Sequence, residues 1–211
     1  MDERYWDARY GGATRLWSGE PNGVLVVEAA DLPPGQALDV GCGEGGDALW
    51  LASRGWFVTA VDISRVALAR AVAAAASRPG ADRISWTHAD LTATAPPAAS
   101  FDLVVAMYCP IPRRPNHAGL HGILAAVAPG GTLLVGNHDV RDHAVPAEDP
   151  AADPSLYYDC DEIAAQLGAG WTVLANEVRE RVSPAPPGSG HVNDVVLVAR
   201  RDNGDRDRTG S

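Results

Sequence analysis

The sequence contains no lysine, and all 17 of its Lys-or-Arg positions are arginines. A phosphate-binding loop of the nucleoside triphosphatases needs a Gly-Lys-Ser or Gly-Lys-Thr triplet, so the chain carries no such loop. A catalytic lysine Schiff base is excluded for the same reason. The Tyr-x-x-x-Lys pair of the short-chain dehydrogenases cannot be formed either.

Cysteine, positive charge and long apolar runs are also scarce. Cys42, Cys109 and Cys160 are scattered and odd in number, which argues against a disulfide framework and fits the reducing cytoplasm. No apolar run approaches the roughly 20 residues of a transmembrane helix. The net charge of −10 provides no overall attraction for nucleic acid or an anionic membrane. We therefore expect a cytoplasmic protein with neither of these partners.

Short apolar segments alternate with helical patterns along most of the chain. The segments at 37–40 and 57–62 are continuous apolar runs ending in or containing an aspartate, as is typical of strands covered on both faces. Strands that alternate with helices predict an α/β fold with a doubly wound, mostly parallel, seven-stranded Rossmann-like sheet. The segments at 171–182 and 194–201 have no helix between them, so they predict an antiparallel hairpin at one edge.

The composition shows no linker and no repeat. We expect one domain over 1–200 and a polar, disordered tail at 201–211. The Pro/Ala/Asp-rich stretch at 142–158 is predicted to be a long loop, and loops of this length in compact domains usually carry function, here as a lid.

The segment "LDVGCGEGG", residues 38–46, follows the first strand. Its glycines fit both G-x-G-x-G and G-x-G-x-x-G, and they allow a ligand to approach the backbone closely. Asp62, at the end of the second strand, could accept hydrogen bonds from both hydroxyls of a ribose. This spacing predicts a nucleoside-containing cofactor, but it fits a nicotinamide dinucleotide and S-adenosylmethionine equally.

Two further carboxylates favour S-adenosylmethionine. Asp39 precedes the first glycine, where it would repel a pyrophosphate but would suit the ammonium and sulfonium of S-adenosylmethionine. Asp90 follows the third strand, where it could accept a hydrogen bond from the adenine amino group.

Five motifs occur in the order and spacing of the class I S-adenosylmethionine-dependent methyltransferases, and the chain resembles that family over about 35–140 and on to the terminal hairpin. The front segment "WDARYGGATRLWSGEPNGVL" is similar to that of the small tellurite-resistance and thiopurine-type methyltransferases, which implies an aromatic N-terminal cap over residues 1–34. The five motifs are "LDVGCGEGG", "VTAVDIS", "THADL", "FDLVVAMY" and "VAPGGTLLVG".

The resemblance implies methyl transfer from S-adenosylmethionine to a small-molecule acceptor, with release of S-adenosylhomocysteine. It implies that Tyr5, Arg9 and Tyr10 close the site. Nine residues would then contact the cofactor: Trp17 near the methionine moiety, Asp39 toward the ammonium, Gly41 and Gly43 at the close approach, Asp62 on the ribose, Ile63, Asp90 and Leu91 around the adenine, and Met107 beside the methyl.

Candidates for catalysis lie at the carboxyl ends of later strands. Tyr108 follows the fourth strand and His138 ends the fifth, while His191 lies in the turn of the last hairpin. Either histidine could serve as a general base for an acceptor that must lose a proton, whereas a thiolate needs none. The edge order typical of the family places the hairpin turn beside the fifth strand, so the two histidines would face each other.

Several alternatives stay open from sequence alone. An NAD(P)-dependent oxidoreductase and a non-catalytic cofactor-binding protein share this fold, and a nucleic acid or protein could be the acceptor. His117 and His121 have metal-ligand spacing but no third ligand, so we expect no metal site. Cys42 and Cys109 could lie close enough for a soft metal, although isolated cysteines more often fill apolar space. The oligomeric state, monomer or homodimer, is not predicted.

Overall fold

The computed structural model describes residues 1–139, 141–142, 153–182 and 192–204. Its seven strands form one sheet in the order β3-β2-β1-β4-β5-β7-β6. This confirms the predicted Rossmann-like α/β fold. The strands are β1 Gln36–Val40, β2 Phe57–Asp62, β3 Ile84–His88, β4 Phe101–Met107, β5 Val127–His138, β6 Trp171–Glu180 and β7 Asn193–Arg201.

The first five strands run parallel, and β7 is antiparallel to both β5 and β6. The predicted terminal hairpin is therefore present, with β6 at the edge and β7 beside β5. The chain order reverses between β1 and β4, and ligands of doubly wound sheets bind at the carboxyl ends of strands at such a point. His138 pairs with Asp194 in the β5–β7 register, which brings the start of β7 to the same rim.

Helices cover both faces of the sheet. Side chains of α2, α3 and α4 share one core cluster that includes Leu25, Leu51 and Leu68, while α5 and α6 contribute to the opposite cluster with Leu120 and Ile163. The helices are α1 Glu3–Gly11, α2 Gly23–Glu28, α3 Gly46–Ser53, α4 Arg65–Ala75, α5 Ala118–Ala126 and α6 Cys160–Ala165.

A serine side chain determines where the helix that follows β2 begins. Ser64 caps α4, since its side chain accepts a hydrogen bond from the Ala67 N–H at 3.1 Å. β5 begins at Val127, which pairs with Phe101 before the pairing shifts to Thr132 opposite Leu103.

Part of the predicted lid, 143–152, and the end of the predicted tail, 205–211, lie outside the described residues. Arg201 belongs to β7 rather than to a tail. Among the described residues, no helix is long and apolar enough to cross a membrane.

Candidate active site

A cavity of about 1750 Å³ opens at the carboxyl ends of the parallel strands. The structure brings to its wall eight of the nine predicted cofactor residues, together with Tyr108 and His138. Asp39 lies behind the wall, and His191 lies outside the described residues. The eight wall residues are Trp17, Gly41, Gly43, Asp62, Ile63, Asp90, Leu91 and Met107.

Two glycines of the glycine loop are required both for their backbone conformation and because a side chain would have no space. Gly41 and Gly43 have φ of +69° and +53°, in the left-handed region that favours glycine. A Cβ on Gly41 would lie 2.4 Å from the Cys109 Sγ, and a Cβ on Gly43 would lie 2.9 Å from the Tyr10 hydroxyl. Without side chains at these positions, the backbone of the loop admits close neighbours from the segment that follows β4 and from the N-terminal segment.

Asp62 links the glycine loop to the start of α4. Its Oδ2 accepts a hydrogen bond from the Gly43 N–H and its Oδ1 accepts one from the Ser64 N–H, both at 2.8 Å. Burial raises the pKa of Asp62, and the hydrogen bonds from Ser64, Gly43 and Ile63 lower it in part. Each carboxylate oxygen has a second lone pair, so the side chain can still accept from a ligand.

Asp39 and Asp47 are buried beneath the loop. Within the part of the chain that the structure describes, Asp39 Oδ2 has no hydrogen-bond partner. Burial, followed by the charges of Asp47 and Asp62, raises the pKa of Asp39 well above its usual range. Asp47 accepts hydrogen bonds from the backbone N–H of Asn22 at 2.7 Å and its side-chain amide at 2.8 Å, and burial raises the pKa of Asp47 as well.

The local turn at Asp90 uses one of the two carboxylate oxygens of this residue. Both bonds from Thr92, from its N–H at 2.8 Å and its hydroxyl at 2.7 Å, go to Oδ1. Ile63 and Leu91 line the same part of the cavity. This carboxylate can therefore accept a hydrogen bond through Oδ2.

The N-terminal segment covers the glycine loop, as an aromatic cap would. The Trp17 indole N–H donates to the Tyr10 hydroxyl at 3.0 Å, and Tyr5 and Arg9 line the cavity nearby. Asp7 accepts from the Ser64 hydroxyl at 2.6 Å, which ties α1 to the first turn of α4.

Glu44 and Arg70 also hold this segment, and neither residue was predicted from sequence. Glu44 accepts hydrogen bonds from the backbone of residues 16 and 17 and pairs with Arg70. A glutamate within a glycine loop and an arginine within an alanine-rich helix were the available signals. Asp47 was missed too, although it stands directly after the last loop glycine.

Tyr108 and His138 stand together at the other end of the cavity. Tyr108 has a φ of +51°, and its N–H donates to the Gly136 carbonyl at 2.7 Å. This backbone turn places its ring on that of His138, with the centroids 4.2 Å apart and the planes 21° apart.

Arg181, which was not predicted from sequence either, connects these two rings to β7. Its Nη1 donates to the Tyr108 hydroxyl at 3.1 Å, to His138 Nδ1 at 3.1 Å and to Asp194 Oδ1 at 2.8 Å. The Arg181 and Asp194 side chains are only 11% and 4% exposed. Arginine can only donate, so Nδ1 accepts and the proton of the neutral His138 ring is on Nε2.

The ionisation of nearby groups limits which of them can act as a base or a metal ligand. Burial, followed by the Asp194 charge, raises the pKa of Tyr108, so its phenol stays protonated at neutral pH. Burial raises the pKa of Cys42, and it raises that of Cys109 to about 12. Among the described residues, no three or more His, Cys, Asp or Glu side chains are grouped to hold a metal ion.

Comparison with known proteins points to one family. Residues 37–131 match the model of a methyltransferase domain. The chain is 32% identical to thiocyanate methyltransferase 1 of Arabidopsis thaliana over 145 residues, which are 63% of each protein. It is 42% identical over 98 residues to an uncharacterized methyltransferase of Mycobacterium tuberculosis, covering 46% of this chain and 48% of that one. The chain thus matches about half to two thirds of these relatives' length.

Solved structures share the fold. One solved structure, which concerns the conversion of a disulfide bond into a thioacetal group during echinomycin biosynthesis, has a TM-score of 0.73 at 24% sequence identity. The match covers 97% of this chain and 93% of that one. The Burkholderia thailandensis 1,6-didemethyltoxoflavin-N1-methyltransferase, solved with S-adenosylhomocysteine, has a TM-score of 0.67 at 19% identity and covers 95% and 87%. With the domain match and the curated relatives, they make this chain similar to the class I S-adenosylmethionine-dependent methyltransferases, in sequence over residues 37–131 and in fold over nearly its whole length.

Proposed function

We propose that this protein transfers a methyl group from S-adenosylmethionine to a small-molecule acceptor and releases S-adenosylhomocysteine. One observation carries the proposal: a single cavity runs from the glycine loop, Asp62 and Asp90 to Tyr108 and His138. A donor at the first end and an acceptor at the second would therefore lie side by side. Methyl transfer needs this arrangement, because its main demand is that the nucleophile be held in line with the methyl carbon.

The charges around the glycine loop fit this donor. Asp39, Asp47 and Asp62 are all buried there, and Asp39 keeps an oxygen without a partner among the described residues. Buried carboxylates would repel the pyrophosphate of a nicotinamide cofactor and would attract an ammonium and a sulfonium. This is the physical argument against the oxidoreductase alternative.

The donor's parts match groups on the cavity wall. The second lone pairs of the Asp62 carboxylate would accept from the ribose hydroxyls, and Asp90 Oδ2 from the adenine amino group. We propose the remaining contacts as Ile63 and Leu91 against the adenine, Gly41 and Gly43 at the closest approach, Met107 beside the methyl and Trp17 over the methionine moiety, all of which are residues of the cavity wall. Asp39, which is buried behind the wall, would lie toward the ammonium.

When bound, S-adenosylmethionine supplies a methyl group that is already activated by the sulfonium. The task left to this chain is to align the acceptor and exclude water. We propose that Tyr108 and His138 contact the acceptor. With Nδ1 accepting from Arg181, His138 is a hydrogen-bond donor through Nε2, and it must release that contact to act as a base. His191 is the other proposed base.

A sulfur acceptor is the first class to test. The relatives include a thiocyanate methyltransferase and a probable thiol methyltransferase, both of Arabidopsis thaliana. Thiocyanate is an anion and a thiol ionises near pH 8.5, so neither depends on a strong base in the protein. Phenol, amine, metalloid and natural-product acceptors are the next classes. We also propose a cytoplasmic protein that acts without nucleic acid or membrane.

Calorimetric titration of the cofactor-stripped protein with S-adenosylhomocysteine, and with NADH in parallel, tests the donor. We expect micromolar binding of S-adenosylhomocysteine and none of NADH. Binding of NADH alone would overturn the proposal. Release of S-adenosylhomocysteine upon addition of S-adenosylmethionine with thiocyanate or with a small thiol then tests transfer. Tight donor binding without turnover on any acceptor class would support the non-catalytic alternative.

A further inference from the structure

Glu44 is a charged side chain in the middle of the glycine loop, and all of its hydrogen bonds go to the N-terminal segment and to α4. Its Oε2 accepts from the N–H groups of Leu16 at 3.2 Å and Trp17 at 2.9 Å, and its Oε1 accepts from Arg70 Nη1 at 2.9 Å. The Glu44 side chain is only 6% exposed. A buried carboxylate with three charge-assisted hydrogen bonds is a strong local link.

Arg70 completes the link from the other side. Its Nη2 donates to the Tyr10 carbonyl at 2.7 Å and also to the Ala13 carbonyl. One ion pair therefore fixes backbone groups at both ends of residues 10–17. We call Glu44 and Arg70 the cap clamp.

The clamped segment lies directly on the loop that would hold the donor. A Cβ on Gly43 would lie 2.9 Å from the Tyr10 hydroxyl and 3.6 Å from a Trp17 ring carbon, and both aromatic side chains line the cavity. A ligand at Gly43 therefore lies beside side chains whose backbone is held by Glu44 and Arg70.

We propose that Glu44 and Arg70 are positioning residues that hold the Tyr10–Trp17 segment over the donor, and that this ion pair sets how fast the donor and its product leave. The proposal rests on the proposed function, since it takes the ligand at Gly43 to be S-adenosylmethionine or S-adenosylhomocysteine. Loss of the pair lets the segment lift from the loop more often, so dissociation accelerates while the chemistry at the other end of the cavity is untouched.

The test uses Glu44→Gln, Arg70→Met and the double variant, with Arg65→Met as the matched control. Arg65 lies on the same helix and pairs with Glu3 of α1, but this pair is exposed, at 70% and 40%. Stopped-flow tryptophan fluorescence measures the dissociation rate of S-adenosylhomocysteine. A charged hydrogen bond of this kind corresponds to about a tenfold change or more, so we expect about that acceleration in each single variant.

Two results would separate positioning from a general loss of structure. The double variant should dissociate no faster than the faster single variant, because both substitutions break one link. The KM for S-adenosylmethionine should rise while kcat is not lowered, and Arg65→Met should stay within about twofold of the natural protein, as exposed pairs contribute little. Unchanged dissociation in the single variants, or equal acceleration in Arg65→Met, would overturn the proposal.

Amide hydrogen exchange without ligand tests the clamp independently of the donor. The N–H groups of Leu16 and Trp17 should exchange about tenfold faster in Glu44→Gln than in the natural protein, and should not change in Arg65→Met. If the natural protein failed to bind S-adenosylhomocysteine, the proposed function would fail, yet this exchange would still report on the clamp. Unchanged exchange with normal ligand binding would overturn the clamp alone.

Discussion

The two ends of the cavity are built on opposite electrostatic principles. At the glycine-loop end, Asp39, Asp47 and Asp62 are buried together, and burial raises the pKa of each. At the other end, Arg181 and Asp194 neutralise each other and hold Tyr108 in place.

Under the proposed function, the glycine-loop end would bind the methyl donor and the end with Arg181 and Asp194 would hold the acceptor, so we call them the donor end and the acceptor end. A group of like charges destabilises the protein on its own and is relieved when a cation binds, so the donor end is suited to binding. A buried pair of opposite charges is satisfied from within and keeps its geometry without a ligand. Substitutions at the donor end should therefore change ligand affinity, and substitutions at the acceptor end should change stability or turnover.

The largest effect should come from Arg181→Met. This change leaves the buried Asp194 carboxylate without its guanidinium, and breaking one side of a buried pair costs about 3–5 kcal/mol of the free energy of unfolding. Urea unfolding measures it, and Asp194→Asn in the same chain should recover part of the loss. A change below about 1 kcal/mol, as for an exposed pair, would contradict the assigned role.

Asp62→Asn should weaken binding of S-adenosylhomocysteine by about 10- to 100-fold, because the charged acceptor for the ribose hydroxyls is lost. Calorimetry measures this affinity. Asp102→Asn is the control: this carboxylate also accepts from a backbone N–H, that of Gln36 at 2.8 Å, but it does not line the cavity. Equal losses in both variants would show that Asp62 acts only on the fold.

His138→Gln should lower kcat about tenfold through loss of a hydrogen bond to the acceptor, with the affinity for S-adenosylhomocysteine unchanged. The pH dependence of the rate decides which role the histidine has. Activity that falls with decreasing pH in the natural protein, but not in the variant, would identify a general base rather than a donor.

The smallest expected effect is a gain in stability. Asp39→Asn should raise the free energy of unfolding at neutral pH by about 1 kcal/mol, because it removes a buried charge, and it should weaken S-adenosylhomocysteine binding. The raised pKa of Asp39 means that the folded protein binds this proton more tightly than the unfolded chain does. The free-energy penalty of the buried Asp39 charge is therefore fully present above the pKa of Asp39 in the folded protein, and it disappears as the pH falls toward about 4. A stability gain that persists at that pH would have another cause.

Most of the predicted cofactor residues reach the cavity wall because their sequence signals are local. The glycine loop and the aspartates at strand ends each stand within a few residues of the strand that positions them, and seven of the eight wall residues came from such motifs, while Trp17 came from the resemblance of the N-terminal segment. The sheet was predictable for the same reason, since each strand and helix has its own apolar pattern.

At the other end, Tyr108 and His138 came from the same kind of signal, but their contact with Arg181 was not predicted. Arg181 meets His138 only because β7 pairs with both β5 and β6, and no pattern near either residue specifies that contact. Glu44 and Arg70 likewise meet across 26 residues of chain. From sequence alone, a charged residue is expected to face solvent. Only the tertiary structure shows that it is buried against an opposite charge.

The terminal hairpin carries both charges of the acceptor-end ion pair, Arg181 directly after β6 and Asp194 in β7. A segment of this kind can be inherited as one piece. Exchange of this hairpin as one unit would carry both charges together, so neither would be left unpaired against the strands that bear the glycine loop, Asp62 and Asp90.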